Sequence, residues 1–109
     1  MAKYIYIYKG PATDMSDMTE EQSKAVLDAW NQWMQKLGDA LLNVGNPMAN
    51  GISIVDDGSQ GIAAELNGYS IVEAENLAHA KSLAHGHPFL SEGKGNFAID
   101  IFELMPVPM

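Results

Sequence analysis

Residues 68–90 read GYSIVEAENLAHAKSLAHGHPFL and combine a strand pattern, a capped helix, all three histidines and a proline stop. Residues 69–74 have the β-branched and aromatic character of a strand. Asn76 is a favoured helix N-cap, and apolar side chains recur at helical spacing over residues 77–85. Gly86 suits a C-terminal cap, and Pro88 cannot continue a helix. The stretch therefore predicts a strand followed by a helix that covers it.

The rest of the chain predicts another strand and helix, together with further strands. Residues 3–8 alternate strictly as a strand does, and Thr19 with Gln22 forms a capping box for a helix whose apolar stripe ends near Gly38. Residues 51–55 and 96–104 are further strand candidates, whereas residues 39–50 fit either a last helical turn or a short strand, with a turn at 45–47 preferred. The order βαββαβ predicts an α+β, ferredoxin-like domain, an antiparallel sheet with two helices on one face.

Alternation in the first strand assigns its side chains to faces. Tyr4, Tyr6 and Tyr8 lie on one face, and Ile5 and Ile7 lie on the other. We expect the isoleucines to pack under the helices, because isoleucine suits a dry apolar layer whereas a tyrosine hydroxyl needs a hydrogen-bond partner. Two helices cover only one face of the sheet. The tyrosines would then lie on the open face, where a second subunit would cover them to form a homodimer through the sheet face. Simple core or interface packing of the tyrosines is the alternative.

Length and charge limit the classes of partner. The 109 residues suit one domain spanning 1–109, without cysteines and without an apolar run long enough for a signal sequence or a membrane span. The net charge is −8 and arginine is absent, which disfavours nucleic acid and anionic membranes as partners. We therefore expect a cytoplasmic protein with neither nucleic-acid nor membrane partners.

Several local strings, in this order, resemble the YCII-related family, which includes the DGPF-domain proteins. They are KY and IY within residues 3–8, GY and IVE within residues 68–73, and HPF at residues 87–89. The resemblance implies a dimeric α+β barrel, with two sheets facing one another across a cavity, and relatives that act on small, often aromatic molecules. Residues 57–60 read DGSQ instead of DGPF, and the first helix lacks the histidine proposed as an active-site residue in some relatives.

The histidines do not predict a metal site. On a helical projection His79 and His85 lie on different flanks of the apolar stripe, so one ion is not expected to bind both. His85 suits the negative end of the helix dipole, and His87 directly follows the cap, where its ring is a candidate for the cavity mouth. We expect no metal and no cofactor.

Two carboxylates that interrupt apolar strands are the other site candidates. If Ile99 and Ile101 pack under the helices, Asp100 shares the cavity face with Tyr6, and burial would raise the pKa of its carboxyl as a general base requires. Glu73 shares a face with its neighbours at positions 69 and 71. A structural position at a wet sheet edge, or a structural hydrogen bond to a tyrosine, is the alternative for both carboxylates.

Three functions follow from this pattern. The first is a cofactor-independent lyase or isomerase acting on a small unsaturated or aromatic metabolite. Asp100 or His87 would transfer the proton, while Tyr4, Tyr6, Tyr8 and Glu73 would contact the substrate. The second is a non-catalytic ligand-binding or accessory homodimer with the same pocket. The third is a structural homodimer in which the tyrosine face is interface alone.

Overall fold

The structure is a computed structural model that describes residues 1–11, 19–91 and 93–106. Two helices, α1 (Glu20–Leu37) and α2 (Leu77–Leu83), pack on a four-stranded antiparallel sheet of β1 (Ala2–Lys9), β2 (Leu41–Asn43), β5 (Leu66–Ala74) and β6 (Ala98–Leu104). A separate hairpin consists of β3 (Ser53–Ile54) and β4 (Gln60–Gly61). The sheet order β2-β5-β1-β6 confirms the α+β, ferredoxin-like fold. None of the helices in the described residues is long and apolar enough to cross a membrane.

The second strand of the sheet is not the one that local propensity favoured. Leu41–Asn43 pairs with β5, whereas the predicted strand at residues 51–55 contributes β3 to the separate hairpin. The chain leaves the sheet after a single bridge between Pro47 and Gly68. Pairing with β5, not intrinsic propensity, makes β2 a strand, because its three residues contain no β-branched side chain.

Local signals set three of the four helix ends as predicted. The prediction that α2 runs to about residue 85 with Gly86 as its cap is wrong: α2 ends at Leu83 with Ala84 as C-cap, because the N–H groups of Ala84 and His85 bond three residues back. The Thr19 hydroxyl accepts a hydrogen bond from the Gln22 N–H, and the Gln22 side chain accepts one from the Thr19 N–H. Gly38 closes α1 with φ +54°, and its N–H bonds to the Met34 carbonyl. Asn76 caps α2 by accepting from the His79 N–H. Both N-cap predictions are confirmed.

The predicted assignment of β1 to faces is wrong. Tyr4, Tyr6 and Tyr8 are at most 4% exposed and lie under the helices, whereas Ile5 and Ile7 are half-buried on the open face. The physical reason lies in the neighbouring strand: Tyr6 and Tyr8 are registered opposite Ser70 and Gly68 of β5. Small residues there, and the buried Ala80 of α2 and Ala84 directly after it, leave room for three phenol rings that isoleucines would not fill.

The open face of the sheet is therefore an aliphatic surface with charged margins. Strand alternation and register place on it Lys3, Ile5, Ile7, Lys9, Asn67, Tyr69, Ile71, Glu73, Ala98, Asp100, Phe102 and Leu104. Phe102 is 55% exposed and Leu104 39% exposed, although both side chains are large and apolar. This surface is uncovered in the single chain.

Candidate functional site

A series of buried hydrogen bonds connects the helix layer to the sheet. The Tyr8 hydroxyl lies 3.1 Å from Nε2 of His87 and 2.7 Å from the Ser70 hydroxyl. Ser70 in turn donates to the Val44 carbonyl at 2.7 Å. His87 is 1% exposed and Ser70 is fully buried, so water does not reach these groups.

The partners of His87 determine its tautomer. Nδ1 of His87 lies 3.0 Å from the Phe89 N–H, which can only donate, so Nδ1 is the unprotonated acceptor. The proton therefore resides on Nε2, which donates to the Tyr8 hydroxyl. Tyr8 then donates to Ser70, and Ser70 donates to Val44. Every donor in this series of hydrogen bonds has one acceptor, which is typical of a structural network.

Aromatic rings enclose His87. Its ring centroid lies 4.2 Å from that of Trp33, 4.6 Å from that of Trp30 and 5.1 Å from that of Tyr8. Burial lowers the pKa of His87 to about 4, and burial raises the pKa of Tyr8 to about 12, against a smaller opposing effect of the Ser70 hydrogen bond. His87 is thus held neutral in a dry core, not at the cavity mouth where the sequence had suggested it.

Acidification is expected to weaken the fold through His87. Its ordinary pKa is 6.5 and its folded pKa is about 4, so the unfolded state takes up the proton first as the pH falls. The contribution of His87 to the free energy of unfolding is complete above about pH 6.5 and declines as the pH falls toward 4. The loss between about pH 7 and pH 5 is about 2 kcal/mol. Urea unfolding across that range measures the loss. A His87→Asn variant should lose this slope, and an unchanged slope would show that His87 is not its source.

The other two tyrosines of β1 also have structural partners. The Tyr6 hydroxyl donates to the Ala80 carbonyl of α2, and burial followed by the nearby Tyr8 raises its pKa. Burial, and then the Glu103 carboxylate, raise the pKa of Tyr4. The tyrosines predicted to contact the substrate therefore lie under the helices. In the single chain their rings pack in the core and their hydroxyls have structural partners.

An ion pair on the open face brings Asp100 together with Lys9. Their side chains approach to 2.8 Å, with Lys9 44% exposed and Asp100 35% exposed. Asp100 is registered opposite Ile7, and Ile99 and Ile101 lie on the helix side as expected. The prediction that Asp100 shares a face with Tyr6 is wrong, because Tyr6 points to the opposite side of the sheet. The burial on which its role as a raised-pKa base rested is also absent from the single chain.

Glu73 lies where alternation placed it. It shares the open face with Tyr69 and Ile71, and it is registered opposite Lys3. The open face thus has a lysine and a carboxylate at each end of β1, with Ile5 and Ile7 between them.

Two grooves border these elements. One, of about 530 Å³, runs along the outer edge of β6 and is lined by Leu77, Lys81, Ile99, Asp100, Ile101 and Phe102. The other, of about 490 Å³, lies between α1 and the turn after α2, with Trp33, Lys36, Gly86 and Pro88 among its lining residues. Of the six predicted catalytic and binding residues, Asp100 alone is among the residues that line these two grooves.

The charged and imidazole side chains do not form a metal site in the described part of the chain. Within residues 1–11, 19–91 and 93–106, no three histidine, aspartate or glutamate side chains converge. Nδ1 of His79 accepts from the Glu75 N–H at 3.0 Å, which fixes that ring at the start of α2. His85 is exposed in the turn after α2.

The sequence analysis missed two residues, one in the ion pair on the open face and one in the buried series of hydrogen bonds. Lys9 was assigned to the loop after the first strand, yet it ends β1 and pairs with Asp100. Ser70 is the acceptor for Tyr8. The signal for Ser70 was present in the alternation of residues 68–74, where glycine, serine, valine and alanine occupy one face and leave space for larger partners. Lys9 had no comparable signal, because its contact depends on the register between β1 and β6.

Comparison with known proteins agrees with this fold. The structure of 5-chloro-2-hydroxyhydroquinone dehydrochlorinase from Burkholderia phenoliruptrix AC1100, in complex with 2,5-dihydroxybenzoquinone, is similar with a TM-score of 0.56 and 17% sequence identity. The match covers 94% of this chain and 93% of that one, and at this identity it shows a shared fold. A comparison with curated proteins found no similar sequence. The family model of the YCII-related domain matches residues 1–103, so the chain belongs to the YCII-related family.

Proposed function

We propose that the protein is a homodimeric, cofactor-independent lyase or isomerase that acts on a small hydroxylated aromatic or unsaturated molecule. The ligand would bind on the open sheet face, in a cavity closed by the second subunit. The observation that carries the proposal is the Lys9–Asp100 ion pair, at 2.8 Å, beside the aliphatic surface of Ile5 and Ile7. A charged pair at the margin of an apolar surface is a site at which a polar group of a flat ligand can be oriented.

The two charged side chains suit complementary roles. Lys9 would hold an ionised hydroxyl of the ligand by charge-assisted hydrogen bonding. Asp100, released from Lys9 by that contact, would accept a proton as general base. In an elimination, the electron pair of the broken bond to hydrogen forms a new double bond and the leaving group departs as an anion. Loss of HCl in this way needs no external oxidant or reductant.

Two further observations support this choice of chemistry. Phe102 is 55% exposed next to Asp100 and would offer a ring against which a planar ligand packs once the face is covered. The structural neighbour from Burkholderia is named as a dehydrochlorinase of a chlorinated hydroxyhydroquinone and is bound to 2,5-dihydroxybenzoquinone. Membership of the YCII-related family supports a role on small molecules.

Calorimetric titration with 2,5-dihydroxybenzoquinone tests the site. We expect saturable binding to the wild type, and a Lys9→Met variant should bind about 10-fold or more weakly, because it loses a charge-assisted hydrogen bond. Lys24→Met, in which an exposed lysine of α1 is replaced, is the matched control and should bind as the wild type does.

Equal binding by the Lys9 and Lys24 variants would place the ligand elsewhere, and no binding to the wild type would refute a hydroxyquinone site. Chloride release from 5-chloro-2-hydroxyhydroquinone, measured with the same proteins, separates catalysis from binding alone. Saturable binding without turnover favours the ligand-binding homodimer as the function.

A further inference from the structure

The hairpin of β3 and β4 presents one face made of isoleucine. Ser53 is paired with Gly61 and Ile54 with Gln60, so continuation of the same register sets Ile52 opposite Ile62. Alternation then puts Ile52, Ile54 and Ile62 on one face of the hairpin. Their side chains are 63%, 82% and 99% exposed.

This isoleucine face has no cover within the described chain. The hairpin forms a sheet of its own, apart from the four-stranded sheet. A two-stranded hairpin is marginally stable in water unless a further surface packs against it. Three neighbouring, exposed isoleucines on one face are not the scattered apolar residues of an ordinary surface. Such a face is typical of an interaction surface.

A second uncovered apolar surface lies at the opposite edge of the sheet. β6 pairs with β1 on one side, and its other edge meets no strand among those that the structure describes. The groove of about 530 Å³ along this edge has Leu77, 56% exposed, and Phe102, 55% exposed, in its walls. Unpaired edges of this kind are normally covered or occupied by another chain.

A two-fold symmetric dimer with facing sheets would bring the two surfaces together. The hairpin leaves the sheet on the β2 side, at the end where Lys9 is registered with Leu66 and Ala98. A two-fold axis parallel to the strands, between two sheets that face one another, exchanges left and right edges and preserves height along the strands. The hairpin of one copy then lies over the start of β6 of the other, where Ile99 and Asp100 line the groove.

Charge at the two surfaces is also complementary. The hairpin turn carries Asp56 and Asp57, and Asp57 is fixed by accepting hydrogen bonds from the N–H and hydroxyl of Ser59. The groove contains Lys81 on α2 and Asp100 on β6, and the charge of Asp100 is offset by its ion pair with Lys9, which leaves Lys81 as the charge available to the hairpin. Opposite charges at the rim of an apolar contact orient the partners and favour the correct register.

We propose that the β3–β4 hairpin is an arm that each subunit lays into the β6-edge groove of a second copy of this chain. The arm supplies part of the cover over the Lys9–Asp100 pair, so the site is complete only in the dimer. The inference rests on the homodimer of the proposed function, and it adds which segment closes the interface and where.

An Ile62→Asp variant tests the arm by analytical ultracentrifugation. Ile62 is 99% exposed in the single chain, so its replacement should leave the circular dichroism of the monomer unchanged. We expect the dimer to weaken about 100-fold, since a charge would be buried at an apolar contact. Leu27→Asp adds the same charge at a residue of α1 that is 60% exposed, and it should dimerise as the wild type does.

Cross-linking locates the contact, because the wild-type chain has no cysteine. An Ile54→Cys variant mixed with a Leu77→Cys variant should form a covalent heterodimer with a short bis-maleimide. The same Ile54→Cys variant mixed with Leu27→Cys should not. Dimerisation of the Ile62→Asp variant as tight as that of the wild type, or equal cross-linking in the two mixtures, would refute the arm and leave the homodimer standing. A monomeric wild type would refute both.

Discussion

Replacement of His87 by alanine is expected to lower the free energy of unfolding by about 3–5 kcal/mol. The change removes a ring packed against Trp30 and Trp33, and it deprives both the Phe89 N–H and the Tyr8 hydroxyl of a partner. The cavity, the orphaned Phe89 N–H and the loss of one of the two hydrogen bonds of Tyr8, which keeps its bond to Ser70, then add to one another. Urea unfolding monitored by tryptophan fluorescence measures the loss, because both tryptophans adjoin the altered position.

The matched control is His85→Ala, two residues away. His85 is exposed, so its replacement should change stability by no more than about 0.5 kcal/mol. His87→Asn restores an acceptor where Nδ1 lies and should recover part of the loss, which keeps the test usable if the alanine variant does not fold. Equal effects of the alanine changes at positions 85 and 87 would contradict the structural role of His87.

Conversion of Asp100 to asparagine is expected to reduce turnover by about 100- to 10,000-fold while the ligand dissociation constant changes little. Asparagine keeps the shape and the hydrogen-bonding reach of the carboxylate, but it cannot accept a proton at neutral pH. Initial rates of the proposed elimination, compared with calorimetric affinity for the same variant, separate the two effects. Loss of affinity with rate unchanged would make Asp100 a binding residue and not a base.

Asp39→Asn is the control for the change in net charge. Asp39 is exposed in the 3-10 turn that follows α1, remote in sequence and on a different element from β6. Its replacement should leave both the rate and the affinity as they are in the wild type. A similar fall in rate for the Asp39 variant would show that turnover responds to charge in general.

The capped helices and the two central strands could be predicted from sequence because their signals are local. Thr19 with Gln22, and Asn76, each act within a few residues. The cap predicted at Gly86 is not formed, because α2 already ends at Leu83. The edge strand β2 could not be predicted in this way, since its three residues owe their conformation to β5. Propensity instead favoured the hairpin segment, which is β-branched yet lies outside the main sheet.

The faces of β1 show a different limit. Tyrosine and isoleucine are both apolar enough for a core, so alternation separates them without saying which set is inside. The decision depends on volume across the sheet, where Gly68 and Ser70 oppose Tyr8 and Tyr6. Those small residues lie more than 60 positions away in sequence and in a different strand, and their pairing becomes apparent only once the register is known.

The candidate site could be predicted only in part, because alternation does not say which set of side chains faces the helices. Asp100 lies on the open face as expected, and Glu73, whose face alternation left undecided, lies there too, but the tyrosines expected beside Asp100 face the helices. Lys9 replaces the tyrosines as the neighbour of Asp100. A proton-transfer role for His87 has lost its geometric basis in the single chain, because its two ring nitrogens are both occupied within a dry core.

A crystal structure of the protein grown with 2,5-dihydroxybenzoquinone tests most directly whether the open sheet face is the site. We predict ligand density on that face, with one oxygen near Nζ of Lys9, the ring beside Asp100 and Phe102, and a second subunit closing the cavity. Density in the groove between Trp33 and Pro88, or an open face filled by side chains of the second subunit with no room for a ligand, would contradict the proposal.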